Sequence, residues 1–321
     1  MDLIFMNANR EDLGVLLDYD VDMAFGQNEN NFECTVAASS HCCGAGFFLY
    51  MEGTEYGGII DSIESRKESM EVIYSGRTWH GILNSKVVEP EDGQAYLTVS
   101  GEANAVIGSL LTRLALSDLF EVSSEDSGLV IDSYKMNRYI RGYDGILKML
   151  KQVDGKLLFT VKEGRVILSV AKIRDYTKDE EFDSDLVDFD VKKKFKTVNH
   201  LICLGSGELE ERMVIHLYAD SSGNISKEQT QFGMNEFTDV YDYPNVESLE
   251  ELEKSGIDRL KELWDPDEIS VDFDAESDTY DVGDIVGAYD NVTQISVSAV
   301  ISKKIVTIRD GQVTISYKVG E

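Results

Sequence analysis

The sequence predicts an α+β protein that is mainly β, with two β-rich regions on either side of a smaller α+β region. Apolar and polar residues alternate with a period of two over residues 1–90, the spacing becomes helical from about residue 101, and strand patterns return in the last third. The chain has 321 residues, which is more than one average domain, so we expect two or three structural units with substantial cores.

The first region is predicted to consist of short strands. Residues 19–25 alternate apolar side chains with small or acidic ones, as expected of a sheet with one solvated face. Turn residues separate this strand from others predicted at 46–51, 58–63, 71–74 and 81–88. Short strands at this spacing favour a small barrel or a sandwich.

Two helices and a hairpin are predicted in the middle region. The apolar face of the first helix consists of Val106, Ile107, Leu110, Leu111 and Leu114. The stripe of the second consists of Tyr139, Tyr143, Ile146, Leu147 and Leu150. This helix is predicted to end at Asp154-Gly155, before a hairpin of strands 156–161 and 165–171.

The last third is predicted to return to strands, at 188–191, 197–204 and 212–219. A helix at about 247–264 interrupts them, because Ser248 and Glu251 form a capping box before an apolar stripe. The chain closes on a hairpin of strands 302–308 and 313–319, with its turn at Asp310-Gly311.

Charge is the strongest compositional signal. Sixty acidic residues against thirty basic ones give a net charge of −30, which argues against a protein that grips nucleic acid or an anionic membrane. Residues 11–65 and 262–302 contain no Lys or Arg and eleven acidic residues each, whereas 135–196 holds fifteen of the thirty basic residues. Solubility alone favours a more even spread, so the pattern indicates a surface requirement that the two acidic regions share.

The sequence favours neither a metal site nor a membrane span. His41-Cys42-Cys43 is the best metal candidate, but adjacent thiols are poorly placed as zinc ligands and core thiols are the preferred interpretation. Four cysteines without a disulfide framework indicate folding in a reducing cytoplasm. We also expect no signal peptide, because the first residues lack a basic segment and a long apolar run.

Two acidic clusters allow alternative interpretations. Asp18, Asp20, Asp22 and Glu29 match calcium-loop positions, but Met23 stands where that loop needs glycine, so a solvated strand face is preferred. A second cluster could supply the carboxylate pair of a glycoside hydrolase, although a solvated or lumenal face is again preferred: Asp272, Asp274, Asp278, Asp281 and Asp284.

Three further motifs receive structural interpretations. Gly205-Ser206-Gly207 lacks the remaining features of a nucleotide loop and is predicted to be a tight turn. Trp79, in Thr78-Trp79-His80, is predicted to pack in a core or an interface. The basic run from Lys192 to Lys196 could contact phosphate, but pairing with an acidic neighbouring subunit is preferred.

Four segments resemble siphovirus tail hub proteins of phages and prophages of Gram-positive bacteria. They are EYGGIIDSIES to VIYSGRTWHGILNSKVVEP (55–90), GEANAVIGSLL (101–111), LICLGSGELEERMVIHLY (201–218) and YDVGDIVGAYDNVTQISVSAVISKKIVTIRDGQVTISYKV (280–319). They occur in the family's order over most of the chain, outside 2–43 and 179–190.

This resemblance implies two tail-tube-like β-barrel domains, at 1–95 and 179–321, with an intermediate α+β domain at 96–178. It further implies a non-enzymatic virion protein, assembled in the bacterial cytoplasm, whose homotrimer forms a ring at the distal end of the tail tube. The implied partners are the tail tube or distal tail protein, the tape-measure protein, and receptor-binding or baseplate proteins. DNA would only pass through the ring, and neither cofactor nor metal is implied.

An acidic wall suits such a channel, because it repels a passing polyanion where a basic wall would hold it. We therefore expect acidic side chains of residues 11–65 and 262–302 to line the bore. The two alternatives are a tail-associated cell-wall hydrolase and a host-glycan-binding module.

Overall fold

The computed structural model describes residues 2–178, 181–183, 190–193, 197–244, 246, 248–264, 267–270, 272–275, 280–290 and 292–320. The chain divides into two units. Unit 1 comprises Met1–Phe189 and Val271–Glu321, and unit 2 comprises Asp190–Ser270. The first and last parts of the chain therefore share a unit, whereas the sequence kept them in separate domains at 1–95 and 179–321. Those three domain bounds stay a prediction.

Unit 1 contains one large, mostly antiparallel sheet. Its strands in the first region are β1 (Leu3–Met6), β2 (Asp12–Leu16), β3 (Tyr19–Gly26), β4 (Asn31–Ala37), β5 (Phe48–Tyr50), β6 (Gly57–Arg66) and β7 (Glu71–Thr78). Its strands from later in the chain are β15 (Glu181–Asp183), β22 (Asp272–Ala275), β23 (Ile285–Asp290), β24 (Ile295–Arg309) and β25 (Gln312–Val319). The hydrogen-bonded order is β15-β23-β24-β3-β4-β7-β6-β5-β1-β2, and β25 pairs with both β22 and β24.

The long strand β24 joins the two ends of the chain. Its first half pairs with β23, and its second half pairs with β25 on one side and with β3 on the other. The predicted closing hairpin is confirmed, and its turn places Asp310 and Gly311 at positive φ, as a two-residue turn requires. No closed barrel forms among the described strands, so the two-barrel architecture is not established.

The middle of unit 1 packs three helices and several short strands around one apolar core. The elements are α1 (Trp79–Asn84), β8 (Val87–Val88), β9 (Thr98–Glu102), α2 (Ala103–Arg113), β10 (Phe120–Val122), β11 (Val130–Lys135), β12 (Ile140–Arg141), α3 (Gly142–Lys151), β13 (Gly155–Lys162) and β14 (Arg165–Lys172). The predicted face of α2 is buried, and the β13–β14 hairpin is confirmed. This core also includes Trp79 and Leu83 of α1 and Tyr50 of β5.

The predicted strand at 81–88 is wrong. Residues 79–84 form α1, and only Val87–Val88 remain a strand. The Thr78 side chain caps the helix by accepting a hydrogen bond from the Gly81 N–H at 3.4 Å. A helix of six residues is too short for periodicity to reveal it.

Tyr139 does not belong to the stripe of α3. It precedes the helix with a φ of 55° and is 59% exposed, whereas Tyr143, Ile146 and Leu150 are buried as predicted. The chain reverses at Tyr139 before β12, so the helix begins at Gly142. The helix ends at Lys151 with Gln152 as its C-cap, three residues before the predicted end at Asp154-Gly155, and Gly155 begins β13.

Unit 2 is a four-stranded sheet with a helix on one face. Its elements are β16 (Asp190–Lys193), β17 (His200–Leu204), β18 (Val214–Ala219), β19 (Ile225–Ser226), β20 (Thr238–Asp242), α4 (Leu249–Trp264) and β21 (Asp267–Ser270). The sheet order is β19-β18-β17-β20, and β16 pairs separately with β21. One half of the predicted capping box of α4 is confirmed, because Ser248 Oγ lies 3.5 Å from the Glu251 nitrogen and accepts its N–H.

A glycine on α4 allows the helix to lie close to the sheet. A Cβ built on Gly256 would meet Cys203 Sγ at 2.5 Å and Leu217 Cδ1 at 2.8 Å. We expect Gly256→Ala to lower the free energy of unfolding by about 1–3 kcal/mol, because the added methyl overpacks this core. Urea unfolding followed by circular dichroism measures the loss. Ser255→Ala, next to it on the helix, is the control, and equal effects of the two would contradict the close packing.

Candidate functional site

An acidic groove crosses the solvent-facing side of the large sheet in unit 1. The strands β24, β3, β4, β7 and β6 place one row of polar residues side by side: Thr307, Asp22, Glu33, Ser75 and Ser62. The groove has a volume of about 490 Å³, and its carboxylates are those of Asp22, Glu29, Glu33 and Asp61. We call these residues the acidic groove.

Three of the four groove carboxylates have a cationic neighbour. Arg77 holds Asp61 with two hydrogen bonds of 2.7 Å, and this interaction lowers the pKa of Asp61. Lys303 lies 2.6 Å from Glu29, and Arg309 lies 3.4 Å from Asp22. These cations lie outside the cation-free regions of the sequence, so the groove is less negative than that pattern predicted. Each is held by a carboxylate, so it is less available to a phosphate than a free cation.

The acidic residues of region 11–65 are mostly at the surface. Nine of the eleven are exposed, and the exceptions are Glu29 and Glu55. In region 262–302, however, Asp284 binds Lys156 and is 0% exposed, so it cannot line a bore as predicted, whereas Asp281 binds the same lysine with a side chain that is 37% exposed. Glu262 is exposed on α4. The other acidic side chains of this region lie outside the described residues.

The strand interpretation of the calcium-loop pattern is confirmed. Asp20 and Asp22 lie on β3, where they alternate with buried Val21 and Met23. Asp22 accepts a hydrogen bond from the Thr307 hydroxyl at 2.8 Å, and Glu29 binds Lys303. An extended strand does not wrap its carboxylates around one ion.

A buried ion pair joins the first and last parts of unit 1. Lys304 of β24 is 1% exposed, and its Nζ lies 2.8 Å from Glu55 Oε1. His80 of α1 places Nε2 3.5 Å from the other oxygen of Glu55. Burial alone would raise the pKa of Glu55, but Lys304 and His80 outweigh it and bring the pKa down to about 2. The ammonium also lies within 6 Å of the ring centres of Phe25 and Tyr56.

A second buried cluster joins β13 to the segment before β23. Lys156 Nζ lies 2.7 Å from both oxygens of Asp284 and 2.6 Å from Asp281. Asp284 is 0% exposed and also accepts the backbone N–H of Arg174 at 2.9 Å. Burial would lower the pKa of Lys156, but the two carboxylates raise it. The carboxylates that could have served a hydrolase are therefore structural at Asp281 and Asp284, whereas Asp278 and the side chains of Asp272 and Asp274 lie outside the described residues.

The residues of the metal candidate gather around a tyrosine. The Tyr74 hydroxyl lies 2.8 Å from His41 Nδ1 and accepts the backbone N–H groups of Cys42 and Cys43 at 3.1 and 3.3 Å. Burial raises the pKa of the Cys43 thiol to about 12, so it stays protonated. The described residues contain no group of three potential metal ligands. The core-thiol interpretation fits Cys43, whereas Cys42 is exposed.

One of the remaining motifs has the predicted structural role, because Trp79 is fully buried in the core of unit 1. The tight turn predicted at Gly205-Ser206-Gly207 is wrong. Gly205 and Ser206 exchange backbone hydrogen bonds with Met213, and the chain turns beyond them through a short 3-10 helix at Leu209–Glu211, with Gly207 at a φ of 103°. The side chains from Lys192 to Lys196 lie outside the described residues.

Comparison with solved structures relates the whole chain to phage tail proteins. The 43 kDa tail protein of prophage MuSo2 from Shewanella oneidensis has a TM-score of 0.58 and 9% identity, over 100% of this chain and 98% of that chain. A tail protein from Neisseria meningitidis MC58 has a TM-score of 0.52 and 12% identity, over 100% and 96%. Prophage tail protein gp18 from Listeria monocytogenes EGD-e has a TM-score of 0.51 and 12% identity, over 99% and 94%.

No protein-family model and no curated protein sequence matches the chain. Within the described residues, none of the helices combines the length and apolarity needed to cross a bilayer. The likeness to the three tail proteins therefore rests on the arrangement of the backbone. This chain has the fold of these phage and prophage tail proteins.

Proposed function

We propose that this chain is a non-enzymatic structural protein of a phage or prophage tail, and that it acts as the hub at the distal end of the tail tube. The observation that carries this proposal is the shared fold along nearly the whole length of both chains. A match over one domain would leave the rest of the chain free for another activity. The functional proposal is therefore an analogy at the level of the fold, and the length of the match extends it to the whole protein.

In this proposal three copies close a ring around the channel through which DNA and the tape-measure protein pass. The acidic groove lies on a face of the sheet that other elements leave open, and it repels a passing polyanion. The cations Arg77 and Lys303 at its edge are paired with Asp61 and Glu29. Tail tube, baseplate and receptor-binding proteins dock on other surfaces of the same ring.

Electron microscopy of the assembled particle tests the location. We expect particles labelled at the C-terminus of this chain to carry three copies at the distal end of the tail tube. A location on the capsid or along the tube would contradict the hub role. A peptidoglycan clearing assay with the purified protein tests the hydrolase alternative, for which we expect no activity. Binding to a glycan array tests the host-attachment alternative.

Charge reversal in the groove tests the channel. Glu33 is exposed and central in the groove, so Glu33→Lys places one ammonium from each copy on the proposed wall. We expect particles with this substitution to assemble but to eject DNA several-fold more slowly, because the ammonium groups hold phosphates. Real-time fluorescence of ejected DNA measures the rate.

The matched control is Glu250→Lys, which makes the same charge change on the exposed side of α4. We expect this control to eject DNA at the wild-type rate. Equal rates for wild type, control and Glu33→Lys would show that the acidic groove does not face the DNA. That outcome would leave the tail location, tested by microscopy, unaffected.

A further inference from the structure

Three hydrogen-bonding side chains form a line on the face of the unit 2 sheet opposite α4. His200 Nδ1 lies 2.7 Å from Glu236 Oε1, and His200 Nε2 lies 2.8 Å from His216 Nδ1. His200 comes from β17, His216 from the neighbouring strand β18, and Glu236 from the segment before β20. We call this line the Glu236–His200–His216 chain.

The surroundings hold the middle imidazole in place. His200 is 8% exposed, and its ring stacks on Tyr218 with centroids 4.4 Å apart and on His216 at 5.1 Å. The Thr238 hydroxyl lies 3.1 Å from His200 Nδ1. The titratable groups that the structure places against the two imidazoles are therefore Glu236 and Tyr218. In the strand register, the remaining neighbours on this face are Ile202 and Val240, which carry no charge.

The protonation of each side chain decides which group donates in each hydrogen bond of the Glu236–His200–His216 chain. An ionised Glu236 can only accept, so His200 donates its Nδ1–H to it. A neutral His200 then has an unprotonated Nε2, which accepts the Nδ1–H of His216. The remaining nitrogen of His216, Nε2, consequently carries a lone pair, and His216 is exposed to solvent.

The Glu236–His200–His216 chain holds a segment of the protein that has few other polar contacts with the rest of unit 2. Residues 227–237 connect β19 to β20, and within them Phe232 is 64% and Met234 is 84% exposed. The amide group of Asn199 binds the backbone of Asn235 and Phe237 at 2.7 and 2.9 Å. Lys227 Nζ binds Glu253 on α4 at 2.7 Å at the start of this segment, and the contact from Glu236 to His200 holds its end.

We propose that the Glu236–His200–His216 chain is a proton-operated clasp that releases segment 227–237 on acidification. The first added proton binds His216 Nε2, which keeps both contacts and leaves a cation balanced by Glu236. A second proton can bind Glu236, which removes the negative charge that holds His200. It can instead bind His200 Nε2, which then places an N–H group against the N–H group of His216. Either event weakens the clasp. This inference rests on the geometry of unit 2 and is independent of the proposed tail role.

Backbone amide hydrogen exchange on the full chain tests the release. We expect the protection factors of segment 227–237 to fall by about tenfold or more between about pH 6 and pH 3, after correction for intrinsic exchange, because release needs the second proton, which a carboxylate takes up only in acid. Protection of the strand His200–Leu204 should change much less. Unchanged protection of the segment, or an equal fall in the strand, would overturn the proposal.

Two variants separate the clasp from general acid sensitivity. Glu236→Gln keeps an oxygen that accepts the His200 Nδ1–H but removes the charge, so we expect lower protection at neutral pH and no pH step. His41→Gln, at a histidine in unit 1, is the matched control and should keep the full step. A step that survives in Glu236→Gln would overturn the proposal.

Nitrogen-15 NMR of the imidazoles tests the proton assignment directly. We expect both His200 and His216 to be Nδ1–H tautomers at about pH 7.5, because Glu236 orients the whole chain. Finding His216 as the Nε2–H tautomer would overturn the proton assignment and with it the proposed order of proton uptake.

Discussion

Replacing Lys304 by methionine should lower the free energy of unfolding by about 3–5 kcal/mol at neutral pH, because the substitution leaves the Glu55 carboxylate buried without its cation. Lys304 is 1% exposed and lies 2.8 Å from Glu55. Methionine fills a similar volume beside Phe25 and Tyr56, so the expected loss comes from the unpaired charge and not from a cavity. Urea unfolding followed by tryptophan fluorescence measures the loss.

The pH dependence of this loss identifies its cause. In the wild type the pKa of Glu55 is about 2, below the value of about 4.3 in an unfolded chain, so this carboxylate stabilises the fold above pH 4.3 and its contribution disappears towards pH 2. In Lys304→Met the buried carboxyl favours its protonated form. The difference in stability between variant and wild type should therefore shrink as the pH falls from about 7 to about 4.

Two further variants make this prediction specific. Lys303→Met changes the adjacent residue, whose partner Glu29 is 44% exposed, and we expect it to cost less than about 1 kcal/mol. The double variant Glu55→Gln/Lys304→Met removes both charges and should regain more than half of the loss. A double variant as unstable as Lys304→Met, or equal losses at positions 303 and 304, would contradict a buried ion pair.

Lys156→Met should also cost about 3–5 kcal/mol, because Asp284 would remain buried without its counter-ion. Both oxygens of Asp284 lie 2.7 Å from Lys156 Nζ. The backbone N–H of Arg174 would continue to donate to Asp284, which places the expected loss towards the lower end of that range. Urea unfolding again provides the measurement.

The stability of the wild type and of Lys156→Met at alkaline pH tests the role of this lysine. Because the folded pKa of Lys156 is raised, its stabilising contribution is complete below the unfolded value of about 10.4 and is lost only as the pH rises through the higher folded value. The loss in Lys156→Met should therefore stay constant between about pH 6 and pH 9. Lys162→Met, an exposed position at the end of the same strand, should change stability by less than about 0.5 kcal/mol. A similar loss at Lys162 would exclude a specific role for the cluster.

Local sequence pattern was sufficient where an element is long and periodic. The helix α2, the helix α4 with its Ser248 cap, and the final hairpin turning at Asp310-Gly311 are all confirmed. Their patterns depend on neighbours three, four or two positions apart, which the chain itself specifies. Pattern failed at 81–88, because the helix α1, capped by Thr78, has six residues, which is fewer than two periods of the helical signal.

Charge pattern predicted the acidic groove only in part. The alternation in β3 correctly placed Asp20 and Asp22 on the solvated face. It could not reveal that Lys303 and Arg309, almost three hundred residues further along the chain, neutralise part of that face. Nor could it distinguish the inward-facing Asp284 from acidic residues at the surface, because its partner Lys156 comes from another strand.

By itself the sequence determined the mainly β composition, the order of most strands and helices along the chain, and the acidic character of the first region. Only the tertiary structure decided that the first and last strands share one sheet, and that Glu55, Asp284 and His200 each meet a distant partner. The physical reason is range: backbone preference and side-chain period act over a few residues, whereas strand pairing and the burial of charge depend on contacts between segments far apart in the chain.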